Sequence, residues 1–130
     1  MELDHIGIAT DDATAVGSMY ADLFGFDIVH EEVFEDELDI VFLDTSGGYL
    51  ELLEPRDEYE GPIKRYLDER GPGIHHLAVR TPDLSKTLRR VRSYDWDLID
   101  ETPRRGAWNT EIAFIHPNST GGILIELVER

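Results

Sequence analysis

The chain has no cysteine among its 130 residues, which excludes a disulfide framework and any thiolate metal site. A bound metal would therefore have to use His, carboxylate or amide ligands. Positive charge is scarce. Twelve Lys and Arg stand against 28 Asp and Glu, for a formal charge of −16, and only Lys64 and Lys86 are lysines. Such a surface repels phosphate backbones and anionic lipid, so neither nucleic acid nor a membrane is an expected partner. No apolar run approaches the roughly 18 residues that a membrane span requires. No basic segment followed by an apolar stretch opens the chain, so no secretory signal is expected and the expected compartment is the cytoplasm. The acids are spread over the whole length, with seven between Asp27 and Asp39. We read them as the solvating surface of a protein from a salt-rich, halophilic cytoplasm, where salt screens self-repulsion, rather than as an acidic patch with a partner.

What is present is enough apolar material, 41% of residues, for one compact domain with a real core. The pattern of that material is a repeat. Asp4-His5-Ile6-Gly7-Ile8-Ala9-Thr10-Asp11-Asp12 returns 71 residues later as His75-His76-Leu77-Ala78-Val79-Arg80-Thr81-Pro82-Asp83. In both copies a histidine opens a short apolar run that ends in Thr-x-Asp. A second match closes each half, now at an offset of 75. There Leu50-Glu51-Leu52-Leu53-Glu54 stands against Ile125-Glu126-Leu127-Val128-Glu129. The change of offset places four extra residues in the loops of the second half.

Alternation and turn residues predict strands over 3–9, 26–33, 38–43 and 49–54 in the first half. A helix capped by Thr10 or Asp11 and closed by Gly25 lies between the first two. The second half predicts strands over 75–80, 96–99, 111–115 and 123–128. Its helix starts at Thr81-Pro82-Asp83, with the proline in the first helical position, and loops occupy 103–109 and 116–122. A further helix over 62–70 links the halves and is broken by Gly71-Pro72-Gly73. The domain organisation read from this is one domain over 1–130, made of two repeats, about 1–55 and 73–130, joined by a short helical linker. The fold class is α+β. Two βαβββ modules, neither able to bury a sheet face alone, pack into one curved mixed sheet with helices on its convex side.

Four residues carry the chemistry. His5 and His76 lie in the first strand of each module, Glu51 and Glu126 in the last. Alternation sets each glutamate opposite its flanking aliphatic neighbours, on a face shared with Tyr49 and Leu53 or Leu124 and Val128. An ionised carboxylate in that setting needs a partner. A histidine or glutamate alone in a strand is more often an ordinary hydrogen-bonded or solvated residue. Both types recurring in register in both halves favours a divalent metal, and the donor set suits zinc, cobalt, manganese or iron. His75 falls on the opposite face from His76, His30 has no repeat partner and reads as structural, and His116 lies in a loop.

The paired modules and the His…Glu…His…Glu order resemble the vicinal oxygen chelate (glyoxalase-like) superfamily, which includes glyoxalase I. More narrowly, four segments resemble the methylmalonyl-CoA epimerases: Asp4 to Ala9, Tyr49 to Pro55, Gly71 to Ala78, and His116-Pro117-Asn118-Ser119-Thr120-Gly121-Gly122 running on to Leu127. The resemblance covers nearly the whole chain. It implies a sheet closed around a metal-binding cleft, with His5, Glu51, His76 and Glu126 as ligands of one divalent ion (cobalt, manganese, zinc or nickel). It implies an acyl-CoA substrate and a homodimer, and a 1,1-proton transfer at carbon 2 of methylmalonyl-CoA through an enolate, with Glu126 and Glu51 as the acid/base pair. Asp39 or an activated water is the alternative second base. A glyoxalase I-like lyase acting on a thiol hemithioacetal is the neighbouring alternative. A metal-dependent dioxygenase fits less well, and a bleomycin-resistance-type binding protein is the non-enzymatic one. Two departures stand out. Gly106-Ala107-Trp108-Asn109-Thr110 replaces a glycine-rich turn, and the second strand is unusually acidic for a protein that meets a polyanionic thioester. Arg80, Arg104, Arg105 and Lys64 are the cations available for phosphates.

Overall fold

The computed structural model describes every residue from Met1 to Arg130. The element order is β1 (Glu2–Ala9), α1 (Ala13–Phe24), β2 (Asp27–Phe34), β3 (Leu38–Asp44), β4 (Tyr49–Pro55), α2 (Pro62–Arg70), β5 (Gly73–Arg80), α3 (Leu84–Ser93), β6 (Arg104–Gly106), β7 (Thr110–Ile115) and β8 (Ile125–Glu129). A single turn of 3₁₀ helix, Ala107–Asn109, joins β6 to β7. This is the expected α+β class with two βαβββ modules. No helix is long and apolar enough to cross a membrane. Two compact units divide the chain, one of His5–His75 and the other of Met1–Asp4 with His76–Arg130.

In the first unit the strands run in the order β2-β3-β4-β1. β1 pairs parallel with β4, placing Gly7 opposite Glu51, and β4 pairs antiparallel with β3, placing Phe42 opposite Glu51. The second unit repeats this as β5-β8-β7-β6. β5 is parallel to β8 with Ala78 opposite Glu126, and β8 is antiparallel to β7 with Phe114 opposite Glu126. The return to a parallel neighbour requires a crossover, which α1 and α3 supply.

Each helix packs on the sheet face that carries the aliphatics. In the first unit Ala13, Val41, Leu43 and Leu52 are buried together, with Ile8, Val16, Tyr20, Phe26 and Leu50 against them. Gly17 lets α1 approach closely, since a Cβ there would sit 3.2 Å from Val41. In the second unit Leu84, Leu88, Ala113, Ile115 and Leu127 form the corresponding core.

The Thr-x-Asp repeat is a helix-start device. Thr10 and Thr81 each accept a hydrogen bond on the hydroxyl from the amide two residues on, at 3.3 Å. Asp12 and Asp83 are the N-caps, accepting from Ala15 N and Lys86 N at 3.0 Å. A second carboxylate completes each start: Glu54 Oε1 accepts from Ala13 N at 2.9 Å, and Glu129 Oε1 accepts from Leu84 N at 2.8 Å. The last strand of each module is thereby tied to the helix that follows its first strand.

Four local expectations are corrected. The cap of α1 is Asp12, not Thr10 or Asp11, because the Thr10 side chain is spent on the turn before it. Pro82 precedes the cap of α3 instead of occupying its first turn. Residues 96–99 form no strand and make only an isolated bridge from Leu98 to Ile115. The third strand from the end is instead 104–106, inside the stretch expected to be loop, where two arginines and a glycine carry no apolar signal.

Candidate metal-binding and acid/base site

Each unit contains one buried histidine–glutamate pair. In the first, His5 on β1 and Glu51 on β4 are 3% and 5% exposed, and His5 Nε2 lies 3.3 Å from Glu51 Oε1. The residue directly across from Glu51 is Gly7. It has no side chain, so the carboxylate has room to lean back toward the histidine two positions earlier on the parallel strand. Phe42, across from Glu51 on the other side, sets its ring edge-on to the imidazole, with centroids 5.8 Å apart and planes at 85°.

The second unit reproduces this arrangement. His76 on β5 and Glu126 on β8 are 4% and 6% exposed, with Nε2 3.6 Å from Oε2. Ala78 is the small residue opposite the glutamate. Phe114 stands edge-on to the imidazole at 5.5 Å and 86°. The face left open by strand alternation is therefore settled: both glutamates are on the buried side. Each pair presents an imidazole nitrogen and a carboxylate oxygen, with an aromatic edge restricting the ring. This donor chemistry fits a borderline or hard divalent cation, and no thiolate competes.

The aromatics Phe42 and Phe114 were missed by sequence reasoning. The available signal was register, since each sits on the middle strand across from a glutamate. Asp39 is not brought to the first pair. It shares its strand face with Val41 and Leu43 and forms an ion pair with Arg56 at 3.3 Å. His30 pairs with Glu32 at 3.1 Å, and His75 meets the Tyr66 ring at 5.4 Å. His116 is exposed and accepts from Asn118 N at 3.1 Å, inside a hydrogen-bonded turn.

Of the cations considered for phosphates, Lys64 is bound to Asp68 at 2.7 Å. This partner raises the Lys64 pKa. Arg104 pairs with Asp100 at 2.9 Å and stacks over Phe114, and Arg105 is exposed on β6. Arg80 donates to Asp4 at 2.8 Å. Asp4 is fully buried and also holds Arg130, through Nε at 2.8 Å and a second guanidinium nitrogen at 2.9 Å. The Arg130 guanidinium in turn lies 4.7 Å from the Trp108 ring centroid. The turn that replaces the glycine-rich sequence is left-handed at two non-glycine residues, Trp108 with φ 58° and Asn109 with φ 59°. Such backbone is strained for a large side chain, and the Asp4–Arg130–Trp108 stack holds it.

Residues 4–114 match the model of the Glyoxalase/Bleomycin resistance protein/Dioxygenase superfamily. Among solved structures, the methylmalonyl-CoA epimerase of Mycobacterium tuberculosis is 44% identical, with a TM-score of 0.91 over 98% of this chain and 87% of that one. The Streptomyces coelicolor methylmalonyl-CoA epimerase in complex with 2-nitronate-propionyl-CoA is 34% identical, with a TM-score of 0.88 over 99% and 96%. The mitochondrial methylmalonyl-CoA epimerase of Dictyostelium discoideum is 32% identical over 99% of this chain and 78% of its own length.

Proposed function

Since the chain belongs to the Glyoxalase/Bleomycin resistance protein/Dioxygenase superfamily, we propose that it is a methylmalonyl-CoA epimerase. It interconverts the two configurations at carbon 2 by moving a proton off one face and onto the other. The observation that carries this reading is the repeated buried His–Glu pair, His5–Glu51 and His76–Glu126, in a chain similar over nearly its full length to proteins named for that reaction.

In this reading the two repeats act as a single domain of 130 residues. His5, Glu51, His76 and Glu126 are the residues that hold one divalent metal. Support comes from the donor types and from the burial of all four side chains. When bound, the ion supplies positive charge that stabilises an enolate and makes the carbon 2 proton easier to remove. The remaining chemistry belongs to the chain. Carbon 2 lies between a thioester and a carboxylate, so loss of its proton leaves charge spread onto the thioester oxygen. One glutamate accepts that proton as a carboxylate, and the other, as the acid, returns a proton to the opposite face. We assign Glu126 the first importance and Glu51 the complementary role. After each turnover the protonated glutamate loses its proton to water and the other regains one from water, so both return to their starting states, and the roles exchange in the reverse direction. Phe42 and Phe114 hold the imidazoles edge-on and keep water from the pairs.

The finer features belong to the same proposal: cobalt first among cobalt, manganese, zinc and nickel, a homodimer, and a salt-rich cytoplasm that accounts for the −16 charge. The decisive experiment incubates one epimer of methylmalonyl-CoA in deuterium oxide, at high salt, with and without chelator. Epimerisation with deuterium entering carbon 2, lost on chelation, is expected. Glu126→Gln should retain metal and lose exchange. A Glu126→Gln protein that binds metal and exchanges normally would refute the assignment. Turnover of the methylglyoxal–thiol hemithioacetal, with none of methylmalonyl-CoA, would move the protein to the lyase branch.

A further inference from the structure

The second unit contains an apolar cavity of about 280 Å³ between α3 and the sheet. Val79, Val91, Ile115, Ile125 and Leu127 wall it. On β5 and β8 these residues alternate with His76 and Glu126, so the cavity opens on the opposite face from the metal-binding pair. The repeat supplies an internal comparison. At the offset of 71, Val91 corresponds to Tyr20, which packs with Phe26 into the core of the first unit. In the second unit valine is too small to do this, and Trp96 lies exposed at the rim. Space that the Tyr20 ring fills in the first module is left open in the second.

The rim is basic, in contrast to the acidic chain as a whole. Helix α3, Leu84–Ser93, carries Lys86, Arg89, Arg90 and Arg92 and no acidic residue, in a chain of net charge −16. Arg92 is engaged with Glu101, whereas Arg90, at the cavity edge, is exposed and makes no ion pair. Inside, the hydroxyl of Thr87 is occupied with Thr81 at 2.7 Å, so the walls offer a polar ligand nothing.

We propose that this cavity is a binding site for a small hydrophobic carboxylic acid, its alkyl or aromatic part against the aliphatic walls and its carboxylate on Arg90. The volume lies just below the roughly 300–1,000 Å³ of drug-sized pockets. It exceeds the roughly 150 Å³ apolar cavity that takes up benzene. Charge complementarity selects an anion over a neutral hydrocarbon, and an amphiphile over a polar anion.

The test titrates hexanoate and hexan-1-ol into the intact protein by calorimetry, with tryptophan fluorescence as a second readout. One saturable site for both is expected. Arg90→Gln should weaken hexanoate about tenfold and hexanol less than about twofold, since a lost charge-assisted contact of roughly 1.4 kcal/mol is a factor of ten. Val91→Tyr, which copies the first module, should abolish both while leaving metal content and epimerase activity unchanged. Val91→Leu, a smaller change that keeps the fold, should weaken both. No saturable binding, or binding that survives both Val91 variants, overturns the proposal. So does a change of sedimentation coefficient in Val91→Tyr, which would identify a second copy of the chain as the occupant.

Discussion

Replacing Asp4 by Asn tests the most concentrated electrostatic feature of the chain. Asp4 is fully buried and accepts three charge-assisted hydrogen bonds, one from Arg80 and two from Arg130, all between 2.8 and 2.9 Å. Breaking a wholly buried ion pair costs about 3–5 kcal/mol, mostly because a charge is left without a partner. Here the charges left behind are only partly buried: the Arg80 and Arg130 side chains are 34% and 23% exposed. Water therefore takes up part of the loss, and the expected cost falls to about 2–3 kcal/mol. In a chain of this length each kcal/mol lowers Tm by roughly 3–4 °C, giving a fall of about 6–12 °C by circular dichroism at fixed high salt. The Arg130→Gln variant should cost less, about 1–2 kcal/mol, because Asp4 keeps Arg80. The double variant should cost clearly less than the sum, as expected for residues in one network. Arg130→Gln should also free the left-handed turn at Trp108, seen as a red shift and loss of near-ultraviolet ellipticity. A Tm change below about 3 °C for Asp4→Asn, or additive costs in the double variant, would refute the clamp.

Other outcomes follow from the same geometry. Glu54→Gln and Glu129→Gln each remove a charged acceptor from a helix start, and each should cost about 1 kcal/mol in denaturant titration. Lying in different modules with no shared partner, their effects should add. Phe114→Leu should lower stability by less than about 1.5 kcal/mol yet loosen the His76 ring. Metal retention against a competing chelator should fall, and unchanged retention would leave Phe114 as packing alone. Burial, with Glu37 adding to it, raises the Tyr59 pKa above 10.0. A raised pKa means that folding favours the neutral phenol. This contribution is therefore complete below the unfolded value and lost as pH rises through the folded one. Stability should fall more steeply above about pH 10 than in Tyr59→Phe, as read by melting at a series of pH values. Dialysis to low salt should lower Tm as the screening of 28 acids against 12 bases is withdrawn, and a salt-independent Tm would remove the salt-adapted reading of the surface.

The parts of this molecule that could be read in advance are those that the chain states twice. His5 and His76, or Glu51 and Glu126, are individually unremarkable residues in strands. Recurrence in register at 71 and 75 residues separates them from ordinary surface polars, and strand alternation then fixes which neighbours share their face. The helix starts were nearly legible for the same reason, and the error at Pro82 came from reading one residue type alone instead of the paired Asp12 and Asp83. What could not be read is what the chain states once. Residues 104–106 form a strand because β7 offers an edge, not because Arg-Arg-Gly prefers extension. Asp4 finds its partners 76 and 126 positions away, and its repeat counterpart is His75, so the repeat itself argued against looking there. The asymmetries between the modules are therefore where the structure adds most. Both modules keep a buried His–Glu pair, whereas other features stand in one copy only. Asp4 without a matching acid and Val91 where the first module has Tyr20 both stand where the two halves have drifted apart. Residues free to drift are those the shared chemistry does not constrain, so functions particular to this protein should be sought at the differences, while its membership of the family rests on the matches.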